Sequence, residues 1–251
     1  MRDLTAQAAL LKSLHVPGKP LVLPNSWDAA TARLVEGLGF PVVATSSYAV
    51  AAAAGYPDDN SMPPAVAFAG VAAIAAATTA PVTADLEAGY GLSAAEFTSA
   101  LLAAGAVGCN LEDGDHRGGL RPLAEQVEWL TAVKSVGRPF VLNARIDCFI
   151  RDSVAPQDKL AEGIERGRAY LAAGADCVYP IGLRDPAQIK EFTSAVPGPV
   201  NVHYYFDGPS VPELAALGVA RISLGAGLFA VAQRAIKDAV ATLGDHASTV
   251  D

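Results

Sequence analysis

The chain has 251 residues, 51% of them hydrophobic and 18% charged, a balance that supplies a large core and excludes a disordered polypeptide. Its formal net charge of −8, with no cluster of lysine and arginine to offset it, argues against nucleic acid and anionic membranes as partners. The three cysteines lack paired metal-ligand spacing, and the N-terminus lacks an apolar signal core. The Ala-rich run Ala49–Ala54 is too short for a bilayer, so we predict a cytoplasmic protein.

Short β-branched runs alternate along the chain with helical patterns, which is typical of repeated βα units. After a first helix at Leu4–Ser13, strands are predicted at Pro20–Leu23, Val42–Thr45, Pro81–Asp85, Val107–Leu111, Phe140–Asn143, Cys177–Pro180, Pro199–His203 and Arg221–Leu224. Helices are predicted at Ala29–Leu38, Pro64–Ala77, Ala94–Ala104, Leu123–Val136, Lys159–Ala172, Ala187–Ala195, Val211–Leu217 and Leu228–Leu243.

Eight strands, each followed by a helix, predict an α/β fold in which residues 1–251 form one (β/α)₈ TIM barrel domain. A weak internal repeat supports this count, because Gly39, Gly105, Gly174 and Gly218 each close a helix just before a strand. We expect Leu4–Ser13 to be an extra helix that caps the bottom of the barrel.

Polar side chains follow the predicted strands, whereas five of the eight strands begin at a proline or directly after one. In a (β/α)₈ barrel the chemistry gathers at the carboxyl ends of the strands. These ends are Asn25–Asp28, Thr45–Tyr48, Asp85 with Glu87, Glu112–Asp113, Arg145–Asp147, Tyr179 and His203–Tyr205. The excess of acidic groups there predicts a cation, and oxygen ligands favour Mg²⁺ or Mn²⁺ over zinc.

The segment from Pro81 to Gly91 carries the sharpest form of this signal. Asp85 ends the predicted strand and Glu87 follows two residues later, so if the extended geometry continues, their side chains point the same way and can share one hard cation. The alternative is a strand cap and a surface salt bridge, with Gly89 and Gly91 only turning the chain.

Several motifs together resemble the isocitrate lyase/phosphoenolpyruvate mutase superfamily. They are the runs 25–33, 44–48, 55–58, 83–91, 110–113 and 143–145, of which Asp-x-Glu-x-Gly-Tyr-Gly followed by Leu-Glu-Asp is the most specific. The resemblance covers nearly the whole chain in order. It implies a (β/α)₈ barrel that assembles into homo-dimers or homo-tetramers, often with the last helix exchanged, and Mg²⁺ chemistry on a small α-oxycarboxylate.

The resemblance also assigns roles to individual residues. It implies that Asp85 is the direct metal ligand, while Glu87, Glu112 and Asp58 hold water molecules of the ion. Ser46 and Ser47 match the position that grips the substrate carboxylate, and Arg145 matches the arginine that faces the oxygen gaining charge. Asn25, Trp27 and Tyr48, at the ends of the first two strands, complete the predicted substrate-binding set, with aromatic packing as the alternative for Trp27 and Tyr48.

The chain departs from the family pattern in the loop that follows the fourth predicted strand. Lyases acting on isocitrate or methylisocitrate carry a proton-transferring cysteine there, but the run Gly114–Leu120 contains none. The longer gating loop of phosphoenolpyruvate mutase is also missing. His116 in this loop and His203 at the end of the seventh predicted strand are the candidate proton donors, and a solvated loop histidine is the alternative for His116.

We therefore predict a Mg²⁺-dependent lyase that cleaves a C–C bond next to an α-oxycarboxylate. Retro-aldol cleavage of a 2-methylisocitrate-like or dimethylmalate-like acid and decarboxylation of oxaloacetate both pass through an enolate that a metal and Arg145 would stabilise. A phosphonate enzyme, either a mutase or a phosphonopyruvate hydrolase, is one alternative. It would need an additional anion-binding group beyond Arg117, Arg121 and the turn after the eighth strand. A non-catalytic barrel that binds dicarboxylates is the other.

Overall fold

The structure is a computed structural model that describes residues 3–115 and 118–243. Its helices are α1 (Leu4–Ser13), α2 (Ala29–Gly37), α3 (Ser47–Ala54), α4 (Pro64–Ala77), α5 (Ala94–Ala103), α6 (Leu123–Ser135), α7 (Lys159–Ala172), α8 (Pro186–Ala195), α9 (Val211–Ala216) and α10 (Gly227–Ala241). Its strands are β1 (Leu21–Leu23), β2 (Asn25–Ser26), β3 (Val43–Thr45), β4 (Val82–Asp85), β5 (Gly108–Glu112), β6 (Val141–Ile146), β7 (Cys177–Pro180), β8 (Asn201–His203) and β9 (Arg221–Ser223).

All of these strands pair in parallel and close into a barrel. The order β2-β3-β4-β5-β6-β7 forms one run of hydrogen-bonded neighbours, and β1-β9-β8 forms the other. Strands β1 and β2 follow one another directly around Pro24, while a parallel bridge between Val178 and Val200 joins β7 to β8. The predicted (β/α)₈ fold is confirmed, with the first predicted strand divided into β1 and β2.

Helix α1 closes the bottom of the barrel, as predicted. Leu11 is fully buried and packs with Leu21, Val42 and the other apolar residues of the lower barrel layer. A methyl group added to Gly108 would lie 2.6 Å from the Leu11 side chain, so a residue without a side chain is required where the helix meets β5.

Two lysines, one on α1 and one on α6, pair with the same carboxylate. The Lys12 and Lys134 ammonium groups each lie 2.8 Å from one oxygen of Asp176, and the backbone N–H of Leu142 donates to it at 3.0 Å. Because Asp176 is almost fully buried, these bonds fix the helices to the loop that precedes β7.

Helix α3 is the element that the sequence pattern missed. The Ser46 side chain caps it by accepting a hydrogen bond from the Ala49 N–H, and the chain leaves it at Gly55 in a left-handed conformation (φ +82°). Alanine favours a helix, but the run from Ala49 to Ala54 consists of alanine and one valine, so it has no polar face and no amphipathic period to detect. The helix begins where a strand end followed by a loop was expected.

Helix α10 exposes an apolar surface. None of its residues is buried, and Val231, Ile236 and Val240 are each more than half exposed. Between α10 and Phe206 lies a shallow groove of about 500 Å³. No helix in the described part of the chain is long and apolar enough to cross a membrane.

Candidate active site

A cavity of about 210 Å³ opens at the carboxyl ends of the strands. It is lined by Asn25, Ser46, Ser47, Tyr48, Asp58, Asp85, Asn110, Arg145, Tyr179, Ile181, His203, Ser223, Gly225 and Ala226. The lining residues come from both sheet segments and from the loops that follow the strands. A larger groove of about 920 Å³ lies on the outside of the barrel along α7, away from these strand ends.

The strand register explains which polar side chains meet. Asp85 on β4 is level with Asn110 on β5, and Asn110 is level with Asn143 on β6. Two residues further along, Glu112 is level with Arg145, which is level with Tyr179 on β7. Residues two apart on a strand share a face, so these two rows form successive layers of polar groups at the top of the barrel.

Asp85 is held by three hydrogen bonds. The Ser47 N–H and hydroxyl donate to its Oδ2 atom at 3.1 and 3.0 Å, and the Asn110 amide donates to its Oδ1 atom at 3.1 Å. The Ser47 N–H belongs to the first residue of α3, where unpaired backbone donors and the helix dipole favour a carboxylate. Helix α3 therefore orients the carboxylate that the sequence assigns to a metal.

Glu87 does not share the strand geometry of Asp85. Strand β4 ends at Asp85, and Glu87 adopts a left-handed conformation with φ +48°, so the expected extended spacing is wrong at this position. Glu87 lies outside the set of cavity-lining residues and accepts a hydrogen bond from the Asn60 N–H. Burial and then the charge of Asp58 raise its pKa to about 7, and its buried Oε1 atom has no hydrogen-bond partner among the described residues.

Asp58 lines the cavity from the loop between α3 and α4. Burial raises its pKa, and the neighbouring charge of Asp85 raises it further. The nearby Ser47 side chain and the charge of Arg145 partly offset this effect on the pKa. Asp58, Asp85 and Glu87 therefore form a group of acids that repel one another when no cation is bound.

Arg145 connects a second group of acids to the cavity. Its Nε and Nη2 atoms donate to the two oxygens of Asp147 at 2.8 and 3.0 Å, and Nη2 also forms an ion pair with Glu112. Asp147 is fully buried and also accepts from Arg151 at 3.2 Å. Burial raises the pKa of Glu112, whereas Arg145 and Arg151 outweigh burial and hold the pKa of Asp147 below its ordinary value.

His203 lies at the end of β8, beside Tyr179. The Tyr179 hydroxyl and His203 Nδ1 are 3.1 Å apart, and the Tyr205 ring lies 4.5 Å from the imidazole. Burial, followed by the charges of Arg184 and Arg145, lowers the pKa of His203 to about 4, so the imidazole is neutral at pH 7. Gly225 makes room for it, because a methyl group there would lie 2.7 Å from His203 Cε1.

The remaining predicted site residues occupy different positions. Asn25 lines the cavity, but its amide oxygen accepts from the Leu224 and Gly225 N–H groups and its amide nitrogen donates to Thr45 O, so it joins strands across the barrel seam. Tyr48 lines the cavity and is half exposed. Trp27 lies outside the lining and packs edge to face on Phe229 at 5.2 Å. His116 lies outside the described residues.

Sequence reasoning gave no role to three polar residues that line the cavity: Asn110, Tyr179 and Ser223. Asn110 precedes Glu112 by two residues on β5, and Ser223 is level with His203 in the β8–β9 register. The period of two along a strand was the available signal for Asn110. For Ser223 the pairing register was needed, and a single sequence does not reveal it.

The donor set fits a hydrated hard cation. Among the residues that the structure describes, no three histidine, cysteine or acidic side chains converge to form a metal cage made of protein alone. Mg²⁺ does not need one, because it retains several waters and binds through one or two carboxylates. The mutually repelling acids and the unpartnered buried oxygen of Glu87 are the features that such an ion would neutralise.

Comparisons with known proteins agree with this geometry. A family model described as phosphoenolpyruvate phosphomutase matches residues 11–243. An uncharacterised protein of Mycobacterium tuberculosis (strain ATCC 25618 / H37Rv) is 32% identical over 236 residues, covering 90% of this chain and 88% of that protein. The 2-methylisocitrate lyase of Escherichia coli (strain K12) is 28% identical over 212 residues, covering 75% of this chain and 70% of that enzyme.

A solved structure shares the whole fold. The crystal structure of a candidate phosphonomutase from Burkholderia cenocepacia J2315 superposes with a TM-score of 0.88 at 40% identity, covering 93% of this chain and 98% of that chain. The family model alone spans most of the 251 residues. The chain is therefore an enzyme of the phosphoenolpyruvate phosphomutase family, within the isocitrate lyase/phosphoenolpyruvate mutase superfamily of lyases and mutases.

Proposed function

We propose that this enzyme is a Mg²⁺-dependent lyase that cleaves a C–C bond next to the carboxylate of a short α-oxy acid and releases pyruvate or a related 2-oxo acid. The observation that carries the proposal is the cavity in which Asp85 and Asp58 face the same space as Arg145. Acids for a cation and a guanidinium for an anion thus meet where the strands end. This combination suits a substrate that chelates a metal and accumulates negative charge on an oxygen during cleavage.

In this proposal Asp85 is the direct Mg²⁺ ligand, while Asp58, Glu87 and Glu112 accept hydrogen bonds from waters of the ion. When bound, the ion supplies positive charge to the carboxylate and the α-oxygen of the substrate. Mn²⁺ has the same preference for oxygen ligands and can replace it.

Arg145 stabilises the oxygen that gains charge. Its Nε and Nη2 atoms are committed to Asp147, and Nη1 has no partner among the described residues, so Nη1 is the donor available to the substrate. The fork with Asp147 prevents rotation of the guanidinium, which places this donor before the reaction begins.

In this proposal Ser46, the N-cap of α3, binds the substrate carboxylate, Tyr48 borders it, and Asn25 supports that wall. Ser47 was expected to bind the carboxylate as well, but its N–H and hydroxyl both donate to Asp85, so it acts by holding that residue. Trp27 contributes through its packing on Phe229 rather than by contact with the substrate.

Proton transfer falls to the wall that carries His203 and Tyr179. A neutral imidazole paired with a phenol can pass a proton from one group to the other, and the two groups are within hydrogen-bond distance. His116 is a second candidate donor from the loop.

The size of the cavity supports short acids over larger ones. About 210 Å³ corresponds to roughly seven water volumes and lies below the usual range of about 300–1,000 Å³ for pockets that bind drug-sized ligands. Arg145 is the only arginine or lysine among the described lining residues.

Phosphonate chemistry is the second candidate function, because the structural relative from Burkholderia cenocepacia is described as a candidate phosphonomutase. A phosphonate would place a second anion near the turn after β9. The described residues of that turn, Leu224 to Gly227, contain no basic side chain.

The test is a substrate screen with the purified protein and Mg²⁺. Oxaloacetate, 2-methylisocitrate, 2,3-dimethylmalate and phosphonopyruvate are each incubated with the enzyme, and pyruvate is detected through lactate dehydrogenase. We expect pyruvate release from one of the three acids that contain no phosphorus. Phosphate release from phosphonopyruvate alone would establish the phosphonate function instead, and silence with all four acids together with tight oxalate binding would indicate a non-catalytic binder.

Asp85→Ala is the matching variant. It removes the proposed ligand and should abolish Mg²⁺-dependent turnover, while Asp152→Ala, at an exposed position, should leave turnover unchanged. Full activity of Asp85→Ala would refute the metal site.

A further inference from the structure

A buried arginine lies beneath the cavity floor. Arg221 on β9 is 1% exposed, and none of the described acidic side chains forms an ion pair with it. Its Nη2 atom donates to Asn110 Oδ1 at 3.2 Å, and its Nε atom donates to Ser223 Oγ at 3.4 Å. Burying a guanidinium costs free energy because the charge loses its hydration, and hydrogen bonds offset this cost only in part. Both hydrogen-bond partners of Arg221 line the cavity.

These contacts fix the orientation of the Asn110 amide. Asn110 Oδ1 accepts from Arg221 and also from the Asn143 amide at 2.8 Å, so two donors converge on this atom. If the amide were flipped, its NH₂ group would face both donors and its oxygen would face the Asp85 carboxylate. The only favourable orientation directs the Asn110 NH₂ group at Asp85 Oδ1.

Counting the lone pairs of the Asp85 carboxylate identifies the oxygen that is available to a cation. A carboxylate has about four acceptor positions, two on each oxygen. The Ser47 N–H and hydroxyl occupy both positions on Oδ2, whereas the Asn110 amide occupies one on Oδ1. One position on Oδ1 is left, and Asn110 determines its direction.

We propose that Arg221 is a positioning residue for the metal site: it holds the Asn110 amide so that Asp85 presents one Oδ1 lone pair to the cation. The inference rests on the proposed function, because it takes Asp85 as the Mg²⁺ ligand. Residues that orient a metal ligand typically change metal affinity by about 10–100-fold when they are removed.

The sign of the effect separates positioning from plain electrostatics. Removing a positive charge close to a cation site should strengthen Mg²⁺ binding if Arg221 acted only through its charge. Positioning through Asn110 predicts weaker binding. It also predicts that Arg221→Met and Asn110→Ala are not additive, because both break the same link.

The experiment measures the Mg²⁺ dissociation constant of the metal-free full-length protein by titration calorimetry, with MgCl₂ as the probe. We expect Asn110→Ala and Arg221→Met to weaken binding about 10–100-fold, and the double variant to be no weaker than the weaker single variant. Arg221→Lys should recover part of the affinity. Excess Mg²⁺ should restore much of kcat in each single variant, which a general loss of structure would not allow.

Asn201→Ala is the matched control, since Asn201 is a buried asparagine level with Arg221 that bonds to Ser223 rather than to Asp85. Its Mg²⁺ affinity should equal that of the wild type. If Arg221→Met does not fold, Asn110→Ala and Arg221→Lys still decide. Wild-type affinity, or tighter binding, in the Arg221 and Asn110 variants would overturn this inference alone. Absence of Mg²⁺ binding by the wild-type protein would overturn the proposed function and this inference with it.

Discussion

Asp147 offers a direct test of how the site holds its arginine. In Asp147→Asn the side chain keeps its size but loses its charge and one acceptor oxygen. Arg145 Nη2 and Arg151 Nη2 both donate to Oδ2, at 3.0 and 3.2 Å. The NH₂ group of the asparagine must face either Arg145 Nε, at the Oδ1 position, or both Nη2 atoms, at the Oδ2 position. The first orientation costs less, so one charge-assisted hydrogen bond of Arg145 is lost.

The magnitude follows from this bond. It is worth about 1.5–3 kcal/mol, the remaining bonds lose the charge of their acceptor, and relief from burying the carboxylate offsets part of the loss, so we expect unfolding to become easier by about 2 kcal/mol. Arg145 then keeps a single hydrogen bond to residue 147 beside its ion pair with Glu112, so its guanidinium is no longer held at two points and can rotate. A misplaced guanidinium should lower kcat/KM about 100-fold, which equals about 2.7 kcal/mol of transition-state stabilisation.

Urea denaturation and steady-state kinetics at saturating Mg²⁺ measure the two effects separately. Asp152→Asn, at an exposed position in the same loop, is the control and should change neither quantity. Lower stability with kcat/KM within twofold of the wild type would refute the positioning role of Asp147. No change in stability would refute the buried fork itself.

Three further outcomes follow. Gly225→Ala should reduce kcat at least tenfold by displacing His203. Gly39 also has a positive φ but open space around it, so Gly39→Ala should affect stability only, and equal kinetics in the two variants would contradict this. Asp176→Asn should cost about 1–3 kcal/mol at pH 7. Hydrogen bonds from two lysines outweigh burial and lower the pKa of Asp176. The difference between wild type and variant in the free energy of unfolding, measured with urea, should therefore shrink as the pH falls below about 3.9, and a constant difference would contradict this. Ile236→Asp on the exposed face of α10 should dissociate the expected dimer or tetramer, as seen by light scattering, and a monomeric wild type would exclude that assembly.

The barrel could be predicted because its signals are local. Strand and helix periods, prolines before strands and glycines after helices all act within a few residues, and the predicted strands match the observed ones to within a few residues. Helix α3 was missed because its alanines carry no amphipathic pattern. This omission matters for the site, since the first N–H of α3 is one of the donors that hold Asp85.

The site was harder to predict where it depends on geometry beyond the strand. Asp85 and Glu87 were expected to point together, but the chain turns to a positive φ at Glu87, which a period of two does not anticipate. Arg145 was anticipated as a site residue, yet its fork with Asp147 was not. Asn110 and Arg221 are 111 residues apart, and only the closed barrel shows that they touch.

Helix α1, which closes the bottom of the barrel, constrains the order in which the chain can fold. Helix α1 leaves the ribosome before the barrel strands, yet Lys12 pairs with Asp176, which is synthesised 164 residues later. At about 5–20 residues per second this is a delay of roughly 8–33 s, during which Leu11 can contact the strands already made but α1 lacks the ion pair that anchors it to the loop before β7. A nascent chain stalled before Asp176 should therefore bind chaperones more than one stalled after β7.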